Sequence, residues 1–341
     1  MKLFLSTLLG FIFPMSAFCY VGETFTFTTA NNVDMTFTIT SESGTPTVMT
    51  GNTYSHCIDQ DYDGEVVVPS VVYYNNQQYM VTEISRLSFD MCNITSLSLP
   101  STLQVIQSCS IQLCFNLHSL TIPASVTLIE EGGLGDAFLS SLVVESGNSN
   151  YVTVNNVLYN KSMTTLLQYA TESSAQHFTV PNTVTRIGNW AFCKCDNLVE
   201  VTIPESVKEI GEWALYSCRK LGKVRIPASV INIGKGAFSG WNYAMKNIEI
   251  EANNPVYTSV DGVLYTKDLS TIVCYPVANE RSHYDILDGT NTVYGGAFSC
   301  SRNLYSIQIP NTVTTIGENA FSACDKLNTT FPISSTIHFS L

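Results

Sequence analysis

Apolar and polar residues alternate in short stretches along most of the chain, and most of these stretches end at a proline. In "LVEVTIP", Val201 and Ile203 point to one side while Glu200 and Thr202 point to the other. This is the period of a half-buried β-strand. Proline ends the strand because it has no backbone N–H to donate. The pattern therefore predicts one short strand in each of many similar units.

The units recur at a fixed period. The prolines Pro181, Pro204 and Pro227 follow one another at steps of 23 residues. After each proline come Val, then Ile-Gly, then Ala and a large apolar residue, as in "PNTVTRIGNWAF" and "PESVKEIGEWAL". We expect this part of the unit to turn back through a short helical turn. One unit cannot bury its own apolar side, so the repeat predicts a mostly β solenoid with a parallel sheet on one face.

A longer period lies over the short one. Two units are extended by similar segments, "NYVTVNNVLYNKSMTTLLQYA" and "PVYTSVDGVLYTKDLSTIVCYP", in which Tyr151 and Tyr257 are 106 residues apart. Each segment has the pattern of a β-hairpin. The chain is therefore predicted to contain a duplicated block of 106 residues, with hairpin insertions near residues 146–175 and 252–281.

The N-terminal region differs from the repeats. Residues 1–19 combine Lys2, an apolar run and small residues near a cleavage site, which predicts a secretory signal peptide cleaved after Cys19. The alternative is that Cys19 becomes a lipidated first residue. In residues 20–63, "ETFTFTT" and "DMTFTIT" predict a hairpin within a β-rich cap that covers the open end of the solenoid, which occupies residues 64–341.

Composition excludes some classes of partner. Only 13% of the residues are charged and the net charge is −12, whereas a nucleic-acid partner would require a basic face. No segment after the signal peptide has about 18 consecutive apolar residues, so no transmembrane segment is predicted in the mature chain. We expect a monomer.

Several cysteines recur at one position of the repeat, which raises the question of a metal site. Cys195 and Cys218 each lie four residues after an alanine, and Cys92, Cys114 and Cys324 hold the same place. Such recurrence indicates an interior slot, which Trp241 is expected to fill in the unit that lacks the cysteine. No histidine or second cysteine pair completes a set of four ligands, so no metal is predicted.

The redox state of these cysteines has two possible outcomes. Export favours disulfides, and stacked units would bring together Cys92 with Cys114, Cys195 with Cys218, and Cys300 with Cys324. Side chains in register run parallel, however, whereas a disulfide needs its two Cβ–S bonds rotated about 90° apart. We predict buried thiols, with disulfide bridges as the alternative.

Other candidate chemistry is weak. Asp59, Asp61, Asp63 and Gly64 match the first half of a calcium loop, but Ser70 stands where the loop needs a glutamate, so a solvated acidic turn is expected. The five histidines are scattered, none lies beside a nucleophile motif, and no phosphate-binding loop is present. The sequence predicts neither a cofactor nor an enzyme. A secreted hydrolase is the least favoured alternative.

The repeat pattern "IPxSVxxIGxxAFxxCxxL" resembles the BspA-type leucine-rich repeats, a family of bacterial and protozoan surface antigens. The resemblance covers Gly64 to Leu327, and "GEVVVPSVVYYNNQQYMVTEISRLSFDMC" is similar to the family's first repeat. It implies a leucine-rich solenoid, secreted or on the cell surface, with roles in adhesion and in host or protein binding. The chain departs from the pattern at Leu287, where the proline is lost. The sorting domain of some relatives is also missing, which leaves the means of attachment open.

We predict a non-catalytic binding protein that uses the outward positions of its strands. The candidate residues are Glu200, Thr202, Lys223, Arg225, Glu249 and Gln308, with Ser96, Ser98, Ser119, Thr121 and Ser306 at equivalent positions. They include no aromatic row, so a sugar-stacking platform is not predicted there. The expected partner is a protein or glycan at a cell surface. A purely structural role in a surface layer is the alternative.

Overall fold

The structure is a computed structural model that describes residues 21–52, 55–135 and 137–328, and the backbone of residues 338–339. Residues 1–19, where the signal peptide and Cys19 are predicted, lie outside the described residues. Within the described ranges, all regular secondary structure is β-strand.

The strands of the N-terminal half are, in chain order, β1 (Thr24–Thr28), β2 (Asp34–Ser41), β3 (Thr47–Thr50), β4 (Glu65–Val67), β5 (Val71–Tyr74), β6 (Gln77–Ile84), β7 (Ser96–Ser98), β8 (Val105–Ile106), β9 (Ser119–Ile122), β10 (Leu128–Ile129), β11 (Ser141–Val144), β12 (Tyr151–Val154), β13 (Val157–Asn160) and β14 (Thr165–Tyr169). Those of the C-terminal half are β15 (His177–Thr179), β16 (Arg186–Ile187), β17 (Glu200–Thr202), β18 (Glu209–Ile210), β19 (Lys223–Ile226), β20 (Asn232–Ile233), β21 (Asn247–Ile250), β22 (Tyr257–Val260), β23 (Val263–Thr266), β24 (Thr271–Cys274), β25 (His283–Asp285), β26 (Thr292–Val293), β27 (Ser306–Gln308), β28 (Thr315–Ile316) and β29 (His338–Phe339).

Each regular coil has three segments, and the predicted solenoid is confirmed. A long strand such as β17 is followed by the proline, then by a short strand such as β18, and then by a turn. Long strands pair in parallel with long strands of the next coil, as in β15-β17-β19-β21, and short strands with short strands, as in β14-β16-β18-β20. The solenoid therefore has a second parallel ladder, which was not predicted from the sequence.

The expected helical turn is wrong. The turn includes residues with left-handed backbone, which an α-helix does not contain, with φ values of 61° at Trp190 and 54° at Lys194. Their N–H groups consequently point to the next coil: Trp190 donates to the carbonyl of Glu212 at 3.0 Å, and Lys194 to that of Tyr216 at 2.8 Å. Every second N–H group between Trp190 and Lys194 stays within the turn, as when Cys193 donates to the carbonyl of Trp190 at 2.9 Å. Bonds to the next coil thus alternate with local bonds, and no helix forms.

β-Hairpins are present in both coils where the sequence predicts them. β12 and β13 pair antiparallel with Tyr151 opposite Asn160, and β22 and β23 pair with Tyr257 opposite Thr266. Each hairpin continues through β14 or β24 into the short-strand ladder of the following coils. The two hairpin coils also interrupt the long-strand face, where β11 is not paired with β15 and β21 is not paired with β25. A further break lies between β7 and β9.

The N-terminal hairpin is also present. β1 and β2 are antiparallel, with Phe25 opposite Phe37, and β3 joins them antiparallel to β2 and parallel to β6. The cap therefore extends the short-strand ladder and supplies backbone partners to its first strand. Phe25, Phe37 and Tyr79 pack against one another beneath it.

The joint at each hairpin depends on a buried asparagine, which the sequence analysis missed. Asn254 is 1% exposed, and its Nδ2 donates to the carbonyls of Pro227 and Val230 while its Oδ1 accepts the N–H of Val256 and Tyr257. Asn148 makes the equivalent four bonds 106 residues earlier. The same residue type at both copies of the duplicated block was a signal that could have identified this joint.

The cysteine slot is internal, but Trp241 does not occupy it. Cys114, Cys218 and Cys324 donate their thiols to phenylalanine carbonyls of the preceding coil, at 2.9, 3.0 and 3.0 Å. In the coil that follows Cys218, Asn242 takes this place, and its side-chain amide donates to the carbonyl of Leu215 at 3.2 Å. The coil from Cys218 to Asn242 has one extra residue, which leaves Trp241 on the surface with 38% of its area exposed.

Candidate functional site

Five of the predicted binding residues lie on one sheet, formed by β15, β17, β19 and β21. In its first row, His177, Glu200, Lys223 and Asn247 lie opposite one another on successive strands. In its second row, Thr179 lies opposite Thr202, and Arg225 opposite Glu249. All these side chains are exposed. Their alternation with the buried Val201, Val224 and Ile248 fixes the face on which they lie.

Ion pairs connect this charged sheet face. Lys223 Nζ is 3.3 Å from Glu249 Oε1, and His177 Nδ1 is 3.4 Å from Glu200 Oε2. Both pairs join side chains that are at least half exposed, so each contributes at most about 1 kcal/mol to stability. The side chains can therefore exchange these partners for those of another molecule at little cost.

Glu251 belongs to the same surface, although it follows β21 and was missed by the sequence analysis. Its Oε1 is 3.1 Å from Arg225 Nη2, and its Oε2 accepts the N–H of Ala228 at 3.2 Å. A depression of about 240 Å³ is lined by the Glu200, Thr202, Lys223, Arg225 and Glu251 side chains. Glu145, at the matching place in the first block, accepts the N–H of Ala124 at 2.9 Å. Glutamates at matching positions of the duplicated block were the available signal.

The remaining candidates lie on other sheets. Gln308 is on β27, opposite Asp285 of β25, and Ser306 accepts or donates a hydrogen bond of 2.6 Å with His283 Nδ1. Ser96 and Ser98 are on β7, and Ser119 and Thr121 are on β9. A hairpin coil separates each of these sheets from the charged sheet, so the structure does not bring Gln308 together with the other five predicted residues.

No cluster of three or more His, Cys, Asp or Glu side chains that could hold a metal occurs in the part of the chain that the structure describes. At the predicted acidic turn, the N–H of Asp61 donates to Asp59 Oδ1 at 3.1 Å.

In this structure none of the ten cysteines among the described residues forms a disulfide. Burial raises the pKa of Cys92 to about 12, with a smaller contribution from the neighbouring Cys114, and burial also raises the pKa of Cys114 to about 12. Thiols held in the neutral form are poor nucleophiles and poor metal ligands.

Fold and periodicity define the class of this molecule, a solenoid of leucine-rich repeats. The family model described as "BspA type Leucine rich repeat region (6 copies)" matches residues 82–169, 167–280 and 267–339. The chain belongs to this family.

Solved structures share the fold. A leucine-rich repeat protein from Eubacterium ventriosum is 21% identical, with a TM-score of 0.50 and coverage of 93% of both chains. The pneumococcal vaccine antigen PcpA is 19% identical, with a TM-score of 0.44 and coverage of 91% of this chain and 75% of its own. A leucine-rich cell surface protein from Faecalibacterium prausnitzii is 20% identical, with a TM-score of 0.43 and coverage of 89% and 87%. A comparison with curated proteins found no match.

No helix in residues 21–52, 55–135 and 137–328 has the length and apolar character needed to cross a membrane.

Proposed function

We propose that the chain is an exported, non-catalytic binding or adhesion protein, secreted or held at the cell surface, that contacts a protein or glycan through the sheet β15-β17-β19-β21. The observation that carries the proposal is the exposed, mixed-charge face of this sheet. Its charges lie in rows on a rigid ladder and are paired only by weak surface contacts.

The family supports this proposal, since its repeats form solenoids whose stacked strands make extended surfaces for binding. The mixture of Glu200, Lys223, Arg225 and Glu249 favours a partner with charges of both signs. Interfaces of this kind gain specificity and association rate from complementary charge. We expect a monomer to be sufficient for binding.

Binding of the purified chain to immobilised extracellular-matrix proteins and glycans tests the proposal. The double variant Lys223→Glu/Arg225→Glu should weaken binding to any captured partner by about tenfold or more, because it reverses two central charges. The matched control is Lys208→Glu/Arg302→Glu, which makes the same change in net charge at exposed positions outside this sheet. An equal loss of binding in both double variants would show that the partner does not bind specifically to this sheet. No binding to any member of the panel would favour the purely structural role.

Export is tested separately, through the N-terminus of the protein produced in a bacterial host. Cleavage after Cys19 gives a mature chain beginning at Tyr20, which intact mass measures directly. A chain that retains Cys19 with added lipid mass would establish the membrane-anchored alternative, and a full-length cytoplasmic chain would contradict export.

A further inference from the structure

The turns of the coils form a third side of the solenoid, and a cleft of about 510 Å³ lies there. Its lining includes Trp190, Trp213, Trp241, Glu318, Asn319 and Ser322. The volume is within the range of small-molecule sites. The strand face proposed above contributes none of these residues, so the cleft is a separate surface.

Aromatic rings form one wall of the cleft. Trp190 and Trp213 are stacked with ring centres 5.7 Å apart and planes at 21°. Tyr216 contacts both edge-on, at 5.7 and 5.4 Å. Trp241 is displaced to the surface by the extra residue of its coil. Three rings are thus held by one another, which fixes the wall without a ligand.

Glycines in the following coils make room for the rings of this wall. The residue before the recurring alanine of the repeat has left-handed backbone in each of five coils. These residues are Trp190, Trp213, Gly236, Gly296 and Asn319. A Cβ on Gly236 would overlap the indole of Trp213, and a Cβ on Gly240 would lie 2.7 Å from the Tyr216 ring. Only glycine therefore permits the rings to lean over these positions.

The order of the coils sets the width of the cleft. Trp213 donates its N–H to Lys235, Gly236 to Gly295, and Gly296 to Glu318, so the coils containing these residues are stacked in direct succession. The coils of Gly236 and Gly296 lie between those of Trp213 and Asn319. At about 4.8 Å per coil, the Cα atoms of Trp213 and Asn319 are therefore about 14 Å apart along the solenoid. The Trp213 indole, which lies over Gly236, spans part of this distance. The aromatic wall faces a polar wall of Glu318, Asn319 and Ser322.

The chemistry of the two walls indicates the ligand. The lining contains one positive side chain, Lys194, and one negative side chain, Glu318, so its formal net charge is zero. The Lys194 ammonium lies 5.9 Å from the centre of the Phe138 ring. Indole rings supply flat apolar surface, while Asn319 and the serines supply donors and acceptors at a short distance from it. A pyranose has this same combination, with an apolar face of C–H groups bordered by hydroxyls.

We propose that this cleft binds a neutral saccharide, with the sugar ring against the tryptophan wall and its hydroxyls on Glu318, Asn319 and Ser322. Along the chain, the residues that line the cleft are up to 132 positions apart. They meet because the coils stack.

Tryptophan fluorescence gives a direct test, because the three tryptophans of the chain all line this cleft. We would titrate the intact protein with cellotetraose, mannotetraose, chitotetraose and, as the cationic alternative, choline. At least one saccharide should shift the tryptophan emission in a saturable way, with the same Kd by calorimetry. A panel in which no saccharide binds would overturn the proposal, as would a response to choline alone, which indicates an aromatic cage for cations.

Variants locate the binding. Trp241→Ala should raise the Kd for the saccharide about tenfold, and Asn319→Ala about fivefold, because one removes apolar contact and the other a hydrogen bond. Both residues are exposed, so the fold should tolerate the changes, which thermal melts will verify. The matched control is Tyr73→Ala, an aromatic residue 60% exposed on the β5–β6 hairpin, which should leave the Kd unchanged. An unchanged Kd in Trp241→Ala and Asn319→Ala would exclude the cleft.

This outcome is independent of the strand-face proposal. The Lys223→Glu/Arg225→Glu variant should bind the saccharide as the parent chain does. If that variant keeps its fold but no longer binds the saccharide, the assignment of the saccharide site to the cleft is contradicted.

Discussion

At the scale of single residues, polar side chains inside the solenoid are as important as the apolar ones. Asn148 and Asn254 each satisfy four backbone groups where a hairpin interrupts the ladder. Backbone groups of a regular coil find partners in the next coil, whereas those at a hairpin joint have none in register. The amide side chain replaces the missing partners.

Substitution of Asn254 by Leu tests this role. The variant should lose about 3 kcal/mol or more of unfolding free energy, because two carbonyls and two N–H groups stay buried without partners. The control is Asn253→Leu at the exposed neighbouring position, which should change the free energy by less than about 0.5 kcal/mol. Urea unfolding measures both. Equal effects would show that the joint does not depend on the amide.

Alkaline pH tests the burial of the thiols. Burial raises the pKa of Cys274 from 9.0 to about 12. Between these values the unfolded chain releases the thiol proton and the folded chain keeps it, so rising pH favours unfolding. This thiol should reduce the free energy of unfolding by about 1.4 kcal/mol per pH unit above about pH 9, and have no effect below about pH 8. Between pH 8 and pH 10, the free energy of unfolding measured in urea should fall by about 1.4 kcal/mol more in the parent chain than in Cys274→Ala. An identical fall in the two chains would contradict the shift.

Thiol counting decides between thiols and bridges. Maleimide should label most thiols of the native chain slowly and those of the denatured, unreduced chain almost completely, because eight of the ten are buried in the structure and none is in a disulfide. Fewer than about four reactive thiols after denaturation would establish disulfides between adjacent coils, the alternative favoured by export.

At the scale of elements, each strand contributes its apolar side chains to an interior that it shares with the strands of the adjacent coils. Ile226 of β19 is fully buried and lies opposite Ile250 of β21. Neither strand buries its apolar side without the adjacent coil.

Ile226→Asp should therefore destabilise the coils on both sides. An unpaired buried carboxylate costs about 4 kcal/mol or more, and we expect the thermal transition to broaden or disappear. Thr202→Asp, an outward position on β17, is the control and should melt within about 2 °C of the parent. A melt of Ile226→Asp that matches the control would contradict the shared interior.

At the scale of the whole molecule, the solenoid is a stack of similar coils whose number is not fixed by a closed core. Contacts run between neighbouring coils, so stability is approximately a sum over coils and their interfaces. The 23-residue coil from Glu205 to Pro227 begins directly after Pro204 and ends directly before Ala228.

Deletion of residues 205–227 should leave a folded chain with a lower Tm, because it brings equivalent positions of the flanking coils together. Deletion of residues 205–222 removes most of the same coil but leaves the strand out of phase with its neighbours, and we expect this variant to aggregate or unfold. Circular dichroism and thermal melts distinguish the two. Similar behaviour of both deletions would contradict a stack of interchangeable coils.

The sequence by itself determined the period, the long strands, the duplicated hairpins, the N-terminal hairpin and the face on which Glu200 to Glu249 lie. These features depend on local alternation and on repetition, which are visible without coordinates. It also led to errors where a local rule was ambiguous. The turn was predicted as helical because its apolar spacing fits a helix, and the short-strand ladder was missed because strands of two residues have no measurable period.

Only the tertiary structure decided where the extra residue of the Trp241 coil is absorbed, and hence which side chain is interior. Asn242 takes the internal slot, where its amide donates to the carbonyl of Leu215 in the previous coil, and Trp241 lies at the surface. The stacking of coils likewise separated Gln308 from the charged sheet and added Glu251 to it. The cleft formed by Trp213, Gly236 and Asn319 exists only because residues of different coils become neighbours along the solenoid axis. Such proximity depends on the register between coils, which hydrogen bonds and packing set in three dimensions.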